Sequence, residues 1–318
     1  MQRILLAAAA ASLALLITPA GAAQPTIPII VKDTTALYWQ TVLAGARKAG
    51  KDLNVNVPEL GAQAETDVND QISTLQDALA ANPAAVVIAP AQFEALGKPI
   101  DIAAKKVKII GIDSPADTKA FVSMLATDDV AGGRIAADGL AAAIQDKYGK
   151  AEGDVALIAA PPSVAWLDQR AEGFRKELAA KYPGLKIVAD KPADSETGAA
   201  KIMSDAIAAD ANLRGVFAAS LIAAQGVGQT IADAKKSDSI KTIGFDSDAK
   251  TIKFLQDGVF TGLVLQDPFR MGYDGIKTAL AASKGEQVPP TIDTGANLIT
   301  KANMDSPRAQ ELLNPKVR

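Results

Sequence analysis

The stretch "IIGIDS" at residues 109–114 returns as "TIGFDS" at residues 242–247, so that I-G-x-D-S occurs twice with its aspartates 246 − 113 = 133 residues apart. Each copy is a short apolar run that stops on Asp113 or Asp246. Runs of that length and apolarity, bounded by turn residues, read as strands buried on both faces. Their recurrence at this spacing in a chain of 318 residues predicts two similar halves, each with a central strand ending on an aspartate.

Working outward, similar β-branched runs occur at "TIPIIV", "NVNVPEL", "AAVVIAP", "GDVALIAA", "GLKIVAD", "RGVFAA" and "FTGLVLQ". Between them lie amphipathic stretches of helical length. Val68, Ile72, Leu75 and Leu79 share one helical face, as do Phe174 and Leu178. Apolar strands alternating with helices predict an α/β fold of two lobes, each a parallel sheet flanked by helices. No long polar linker divides the halves, so short connections are expected near Ala126 to Asp129, Gln266 to Pro268 and Thr294 to Ala296.

Ligands of open parallel sheets sit beyond the carboxyl ends of the strands. Two lobes whose strand ends face each other would bring Asp113 and Asp246 into one cleft. Either aspartate alone reads equally well as a turn or cap residue at a strand-to-helix junction. Their paired recurrence favours a site.

Composition narrows what that site does. At 48% hydrophobic and 22% charged the chain is globular, and its length suits two lobes of about 150 residues. Residues 1–22 carry Arg3, an apolar run from Ile4 to Ile17, Pro19, and small residues at Ala20 and Ala22, the pattern of a cleavable secretory signal. The apolar run is shorter than the ~20 residues of a spanning helix, so a soluble, exported, periplasmic protein is expected. The chain has no cysteine and no histidine. That removes disulfides, thiolate and imidazole catalysis and the usual metal ligands, so neither metal nor cofactor is expected. A net charge of −3 makes nucleic acid an unlikely partner. "QGVGQT" (225–230) lacks the third glycine and the lysine of phosphate-binding loops, and no acidic run has calcium-loop spacing.

The segment "IIVKDTTALYWQTVLAGARKAG" (29–50) sets Tyr38 and Trp39 side by side at a helix start, in a chain that is 4% aromatic with two tryptophans. A sugar offers a hydroxylated rim and an apolar C–H face, which call for carboxylates and an arginine in its plane and an aromatic ring against its face. Trp39 fits such a platform, or pads its helix against the sheet. For Tyr38 the two readings are even, because adjacent helical residues cannot both point at one target.

Trp166 lies in "APPSVAWLDQR", four residues before Arg170; it either lines the cleft or folds onto the surface. Arg170 reads as a helix-start surface charge or as a ligand contact, since a cation near a helix N-terminus wants an acidic partner. Lys32 and Asp33, at the end of the first strand, either line the cleft or pair with each other. Asp129 reads as a hinge or supporting residue.

The order of these motifs resembles that of periplasmic sugar-binding proteins of ABC importers, of the ribose-binding type and related to the effector domains of LacI-like repressors. "ALYWQTVLAGARKAG", "DVNDQISTLQDALAANPAAVVIAP", "KPIDIAAKKVKIIGIDS", "LATDDVAGGRIAADGLA", "LDQRAEGFRKEL", "GVFAAS", "TIGFDS" and "LVLQDPFRMGYDGIKTAL" follow in family order over nearly the whole mature chain. The resemblance implies a type I periplasmic binding protein with a three-segment hinge. Its first lobe would comprise residues 24–127 and 267–294, and its second residues 128–266 and 295–318. It also implies that Tyr38 and Trp39 stand for the family's aromatic pair, with Asp113, Arg170, Ser220, Asp246 and Gln266 at its polar ligand positions.

Departures are clear: Ala36 replaces a common asparagine, Ser114 stands where ribose binders carry arginine, and Leu221 matches nothing. The implied function is capture of a monosaccharide or polyol for an inner-membrane permease, by a monomer. A chemotaxis or quorum-sensing receptor is the alternative. A glycosidase using Asp113 and Asp246 as its carboxylate pair is a weaker one, because Arg170 would oppose the raised pKa such chemistry needs.

Overall fold

The computed structural model describes residues 24–159 and 165–317, so the proposed signal segment lies outside the described residues. The described chain forms two six-stranded sheets. The first opens with β1 (Ile29–Val31), α1 (Leu37–Leu53), β2 (Glu59–Gly61), α2 (Val68–Ala80), β3 (Ala85–Ile88), α3 (Phe93–Ala104), β4 (Lys108–Ile112) and β5 (Phe121–Ala126). The second holds α4 (Asp129–Tyr148), β6 (Gly153–Ala159), α5 (Ala165–Lys181), β7 (Leu185–Pro192), α6 (Glu196–Ala209), β8 (Leu213–Ala218), α7 (Leu221–Asp233), β9 (Lys241–Phe245), α8 (Ala249–Gln256) and β10 (Gly262–Gln266).

The chain then returns to the first sheet with α9 (Pro268–Ser283) and β11 (Thr291–Asp293). It ends in the second with β12 (Ala296–Thr300) and α10 (Pro307–Leu313). The strand orders are β11-β5-β4-β3-β1-β2 and β12-β10-β9-β8-β6-β7. The expected α/β architecture is therefore present, and the chain passes between the sheets after β5, after β10 and between β11 and β12.

Three strands are not apparent in the sequence. β5, "FVSMLA", is only partly buried, and β11 has three residues. β12 runs antiparallel to β10, from Gly262 opposite Thr300 to Gln266 opposite Ala296. The second sheet is thus parallel except at this edge, where the chain arrives from the carboxyl end of β11 after two residues, enters beside the carboxyl end of β10 and so runs back against it.

Apolar layers cover both faces of each sheet. Ile29, Val31, Val87, Ile110 and Ile112 face the α1 and α9 side of the first sheet, with Ile30, Val86, Ile88 and Ile109 on the α2 and α3 side. In the second sheet Val155, Leu157, Phe217, Ile243 and Phe245 face α4 and α5, and Ile158, Val216, Ala218 and Leu263 face α6 and α7.

The pairs α1–α9 in the first half and α4–α5 in the second pack backbone to backbone. A Cβ on Gly45 would stand 1.9 Å from the Phe269 carbonyl oxygen, and one on Gly272 would stand 1.9 Å from that of Val42, which locks α1 to α9. Gly133 against the Arg170 carbonyl (2.0 Å) and Gly173 against that of Val130 (2.1 Å) lock α4 to α5 in the same way. The second pair sets the position of Arg170.

Candidate functional site

The two echoed motifs end alike. Asp113 follows β4 and Asp246 follows β9, both in the left-handed backbone region with φ of 64° and 63°. Aspartate tolerates that conformation better than most residues. Each then donates its backbone N–H to the neighbouring strand, Asp113 to Leu125 O at 2.8 Å and Asp246 to Val264 O at 2.9 Å. The turn lifts each carboxylate off its sheet at the carboxyl edge.

Around Asp113 the first sheet supplies three donors. Lys32, buried at the end of β1, donates from Nζ to Oδ2 at 2.7 Å and also to the Ser114 hydroxyl. The Ser114 hydroxyl donates to the same Oδ2 at 2.5 Å, and the Tyr38 hydroxyl donates to Oδ1 at 2.9 Å. Burial works to raise the Asp113 pKa, but the Lys32 charge and these hydrogen bonds overcome it and hold the carboxyl below its usual value. Asp113 is a held, ionised acceptor.

The second sheet supplies the complementary set. Arg170 is buried on α5, its guanidinium 3.7 Å from the centre of the Phe245 ring. It donates from Nε to Asp129 Oδ1 at 2.6 Å and from Nη1 to the Ala219 carbonyl at 3.4 Å, and Nη1 stands 3.6 Å from Asp246 Oδ2. Burial pushes the Asp129 carboxyl up to about 6, against the opposing pull of Arg170 and with the help of the Asp113 and Asp246 charges. Asp246 is raised for the same first reason, and only partly relieved by Arg170 and Gln266.

Gln266, the last residue of β10, bridges the two sets. Its Nε2 donates to Asp246 Oδ1 at 2.8 Å, and its Oε1 accepts from Thr127 Oγ1 at 3.0 Å and, more weakly, from the Tyr38 hydroxyl at 3.5 Å. A polar chain therefore runs from Lys32 through Asp113, Tyr38, Gln266 and Asp246 to Arg170 and Asp129. Asp113 and Asp246 keep 17% and 26% of their side-chain surface accessible within it.

Other expected residues are placed differently. Trp39 is 2% exposed and lies in the α1 side of the first core, donating from Nε1 to Glu65 Oε1 at 2.6 Å. Of the two readings of Trp39, this placement matches padding of the helix against the sheet, while its neighbour Tyr38 takes the other direction, a helix turning about 100° between them. Asp33 braces the turn before α1. Its Oδ1 accepts from the backbone N–H and hydroxyl of Thr35 and the N–H of Ala36 ahead of α1. Ser220 caps α7, accepting from Ala223 N at 3.2 Å. Trp166 lies in the first turn of α5, and its side chain is outside the described residues.

Sequence reasoning missed Thr127 and Thr294, both buried at the chain crossings with hydroxyls 3.5 Å apart. A threonine at such a connection carries no sequence signal of facing a cleft. Glu65 was also missed, because nothing local marks a loop carboxylate as the partner of an indole.

Two sheets presenting acidic strand ends to one another across a triple crossing define a two-lobed solute receptor. The chain belongs to the periplasmic binding protein family: the family model described as a periplasmic binding protein domain matches residues 27–287. The ribose import binding protein of Haemophilus influenzae is 26% identical over 305 residues, covering 95% of this chain and 100% of the relative. The D-allose-binding periplasmic protein of Escherichia coli is 27% identical over 288 residues, covering 87% of this chain and 90% of its own. A carbohydrate transporter solute-binding protein from Agrobacterium radiobacter, solved in complex with D-arabinose, is 64% identical, with a TM-score of 0.80 over 92% of this chain and 100% of that one.

Proposed function

We propose that the protein is the solute-binding component of an ABC importer, which takes a monosaccharide or related polyol between its lobes and presents it to an inner-membrane permease. The observation that carries this reading is the polar chain joining the two sheets. It joins an ionised acceptor (Asp113), a buried multiple donor (Arg170) and an amide that both donates and accepts (Gln266) in one network, groups that would suit the rim of a sugar. The 64% identity to a protein holding D-arabinose makes a pentose of that kind the first ligand to test.

The lobes are read as residues 24–127 with 267–294 and 128–266 with 295–318, pivoting on the three crossings. The mature protein is taken to be a periplasmic monomer released by cleavage after residue 22 and not engaging nucleic acid. Among the described residues no helix is long and apolar enough to cross a membrane.

Calorimetry and thermal shift with D-arabinose, D-ribose, D-allose, D-tagatose and xylitol test the reading, since a ligand that binds only the folded chain raises its melting temperature. A rise with at least one of them, and recovery of that sugar unchanged after long incubation, is expected. A melting temperature unmoved by all five would reject the sugar assignment. Hydrolysis of a glycoside would move the protein to the enzyme reading.

A further inference from the structure

Trp39 is itself buried, yet two of the three donors to Asp113, Lys32 and Tyr38, rest on it. The Lys32 ammonium stands 5.3 Å from the centre of its ring, and the Tyr38 ring meets it edge-on with centroids 4.9 Å apart and planes at 85°. These same two side chains hold Asp113 at 2.7 and 2.9 Å. The indole N–H itself donates to Glu65 Oε1 at 2.6 Å. Glu65 belongs to the connection between β2 and α2, and is otherwise exposed.

A buried indole N–H without an acceptor loses a hydrogen bond, so the ring turns to wherever an acceptor is offered. Moving the ring moves the shelf under Lys32 and Tyr38. We propose that Glu65 and Trp39 are positioning residues of the ligand site: Glu65 accepts the indole N–H, Trp39 carries Lys32 and Tyr38, and these two set the direction in which Asp113 presents its carboxylate. The inference rests on the reading of Asp113 as a sugar acceptor.

The test compares Glu65→Ala with Glu65→Gln, whose amide oxygen still accepts. D-Arabinose affinity is measured by calorimetry on chains with both tryptophans. Emission of Trp39 is read without sugar in a Trp166→Phe background. Glu65→Ala is expected to weaken D-arabinose by about tenfold, the ratio carried by one hydrogen bond of ordinary strength, and Glu65→Gln to restore most of it. The Ala variant should also shift Trp39 emission and open the ring to acrylamide quenching, which Gln should not.

In a Trp39→Phe background, which keeps a ring but has no N–H, Glu65→Ala should add no further loss, as expected for two members of one contact. A wild-type chain that binds while Glu65→Ala binds equally well overturns the positioning role, and so does unchanged Trp39 emission. A wild-type chain that takes up none of D-arabinose, D-ribose, D-allose, D-tagatose and xylitol overturns the functional reading first, and the role of Asp113 falls with it.

Discussion

Arg170 and Asp129 form an ion pair at 2.6 Å in which both partners are buried, yet the carboxyl is pushed up to about 6. Three carboxylates (Asp113, Asp129 and Asp246) act on the guanidinium's surroundings, and burial penalises the charge of each. The second half of the cleft is therefore acidic and strained by its own charge, whereas in the first half Lys32 keeps Asp113 ionised.

The raised carboxyl predicts a pH dependence of stability. Asp129 binds its proton more tightly folded than unfolded, so its contribution is fully present below the ordinary value of 3.8 and is lost as pH rises through about 6. In the unliganded protein, wild type should lose stability relative to Asp129→Asn between those limits, as followed by urea unfolding at a series of pH values. A difference that stays flat, or that grows in favour of wild type with rising pH, contradicts the assignment.

Loss of Arg170 should be costly in two ways. Arg170→Ala leaves Asp129 and Asp246 without their buried cation, at a cost of about 3 kcal/mol in folding stability, and removes the strongest donor of the site. Asp246→Asn is the milder probe, because it keeps the shape and the bond from Gln266 can be remade by an amide oxygen. Sugar affinity of Asp246→Asn is expected to fall about tenfold or more with the fold retained. Normal binding by both variants, measured by calorimetry, would remove the second sheet from the site.

The aromatic pair should separate cleanly. Tyr38→Phe deletes the hydroxyl that reaches Asp113 and Gln266, and should weaken binding by about 1 kcal/mol with little change in melting temperature. Trp39→Ala empties a core position and should cost about 3–5 kcal/mol in stability. If Trp39→Ala melts like wild type and loses only sugar affinity, the ring faces the ligand after all.

Backbone packing between α4 and α5 gives a prediction remote from the polar groups. A Cβ at Gly133 would lie 2.0 Å from the Arg170 carbonyl, so Gly133→Ala must push α5 and its arginine away. Destabilisation of about 2 kcal/mol and weakened sugar binding are expected together, whereas Gly149→Ala, whose Cβ meets nothing within 4 Å, should affect stability through its φ of +79° and leave affinity alone. Equal affinities for Gly133→Ala and wild type would show that Arg170 is not placed by this helix contact.

Domain motion is the remaining expectation. Site residues are divided between two sheets joined by short crossings, so the open form should close when a ligand contacts both. Small-angle scattering on titration with D-arabinose should show a smaller radius of gyration at saturation. Tight binding with an unchanged radius would count against closure.

Much of the fold follows from local pattern. Apolar runs ending on Asp113 and Asp246, helices between them, and Gln266 closing a strand are statements about neighbours in sequence, and burial of apolar strands between helices makes them compulsory. Tertiary structure alone decided which of Tyr38 and Trp39 turns to the cleft, that Lys32 pairs across 81 residues with Asp113 while Asp33 only braces its own turn, and that β12 runs antiparallel. The physical reason is range. A helix step separates Tyr38 from Trp39 by angle but does not say which side is core, and an ammonium takes the carboxylate that folding brings within reach. The tightest ion pairs of this site join groups that the chain keeps 81 and 41 residues apart.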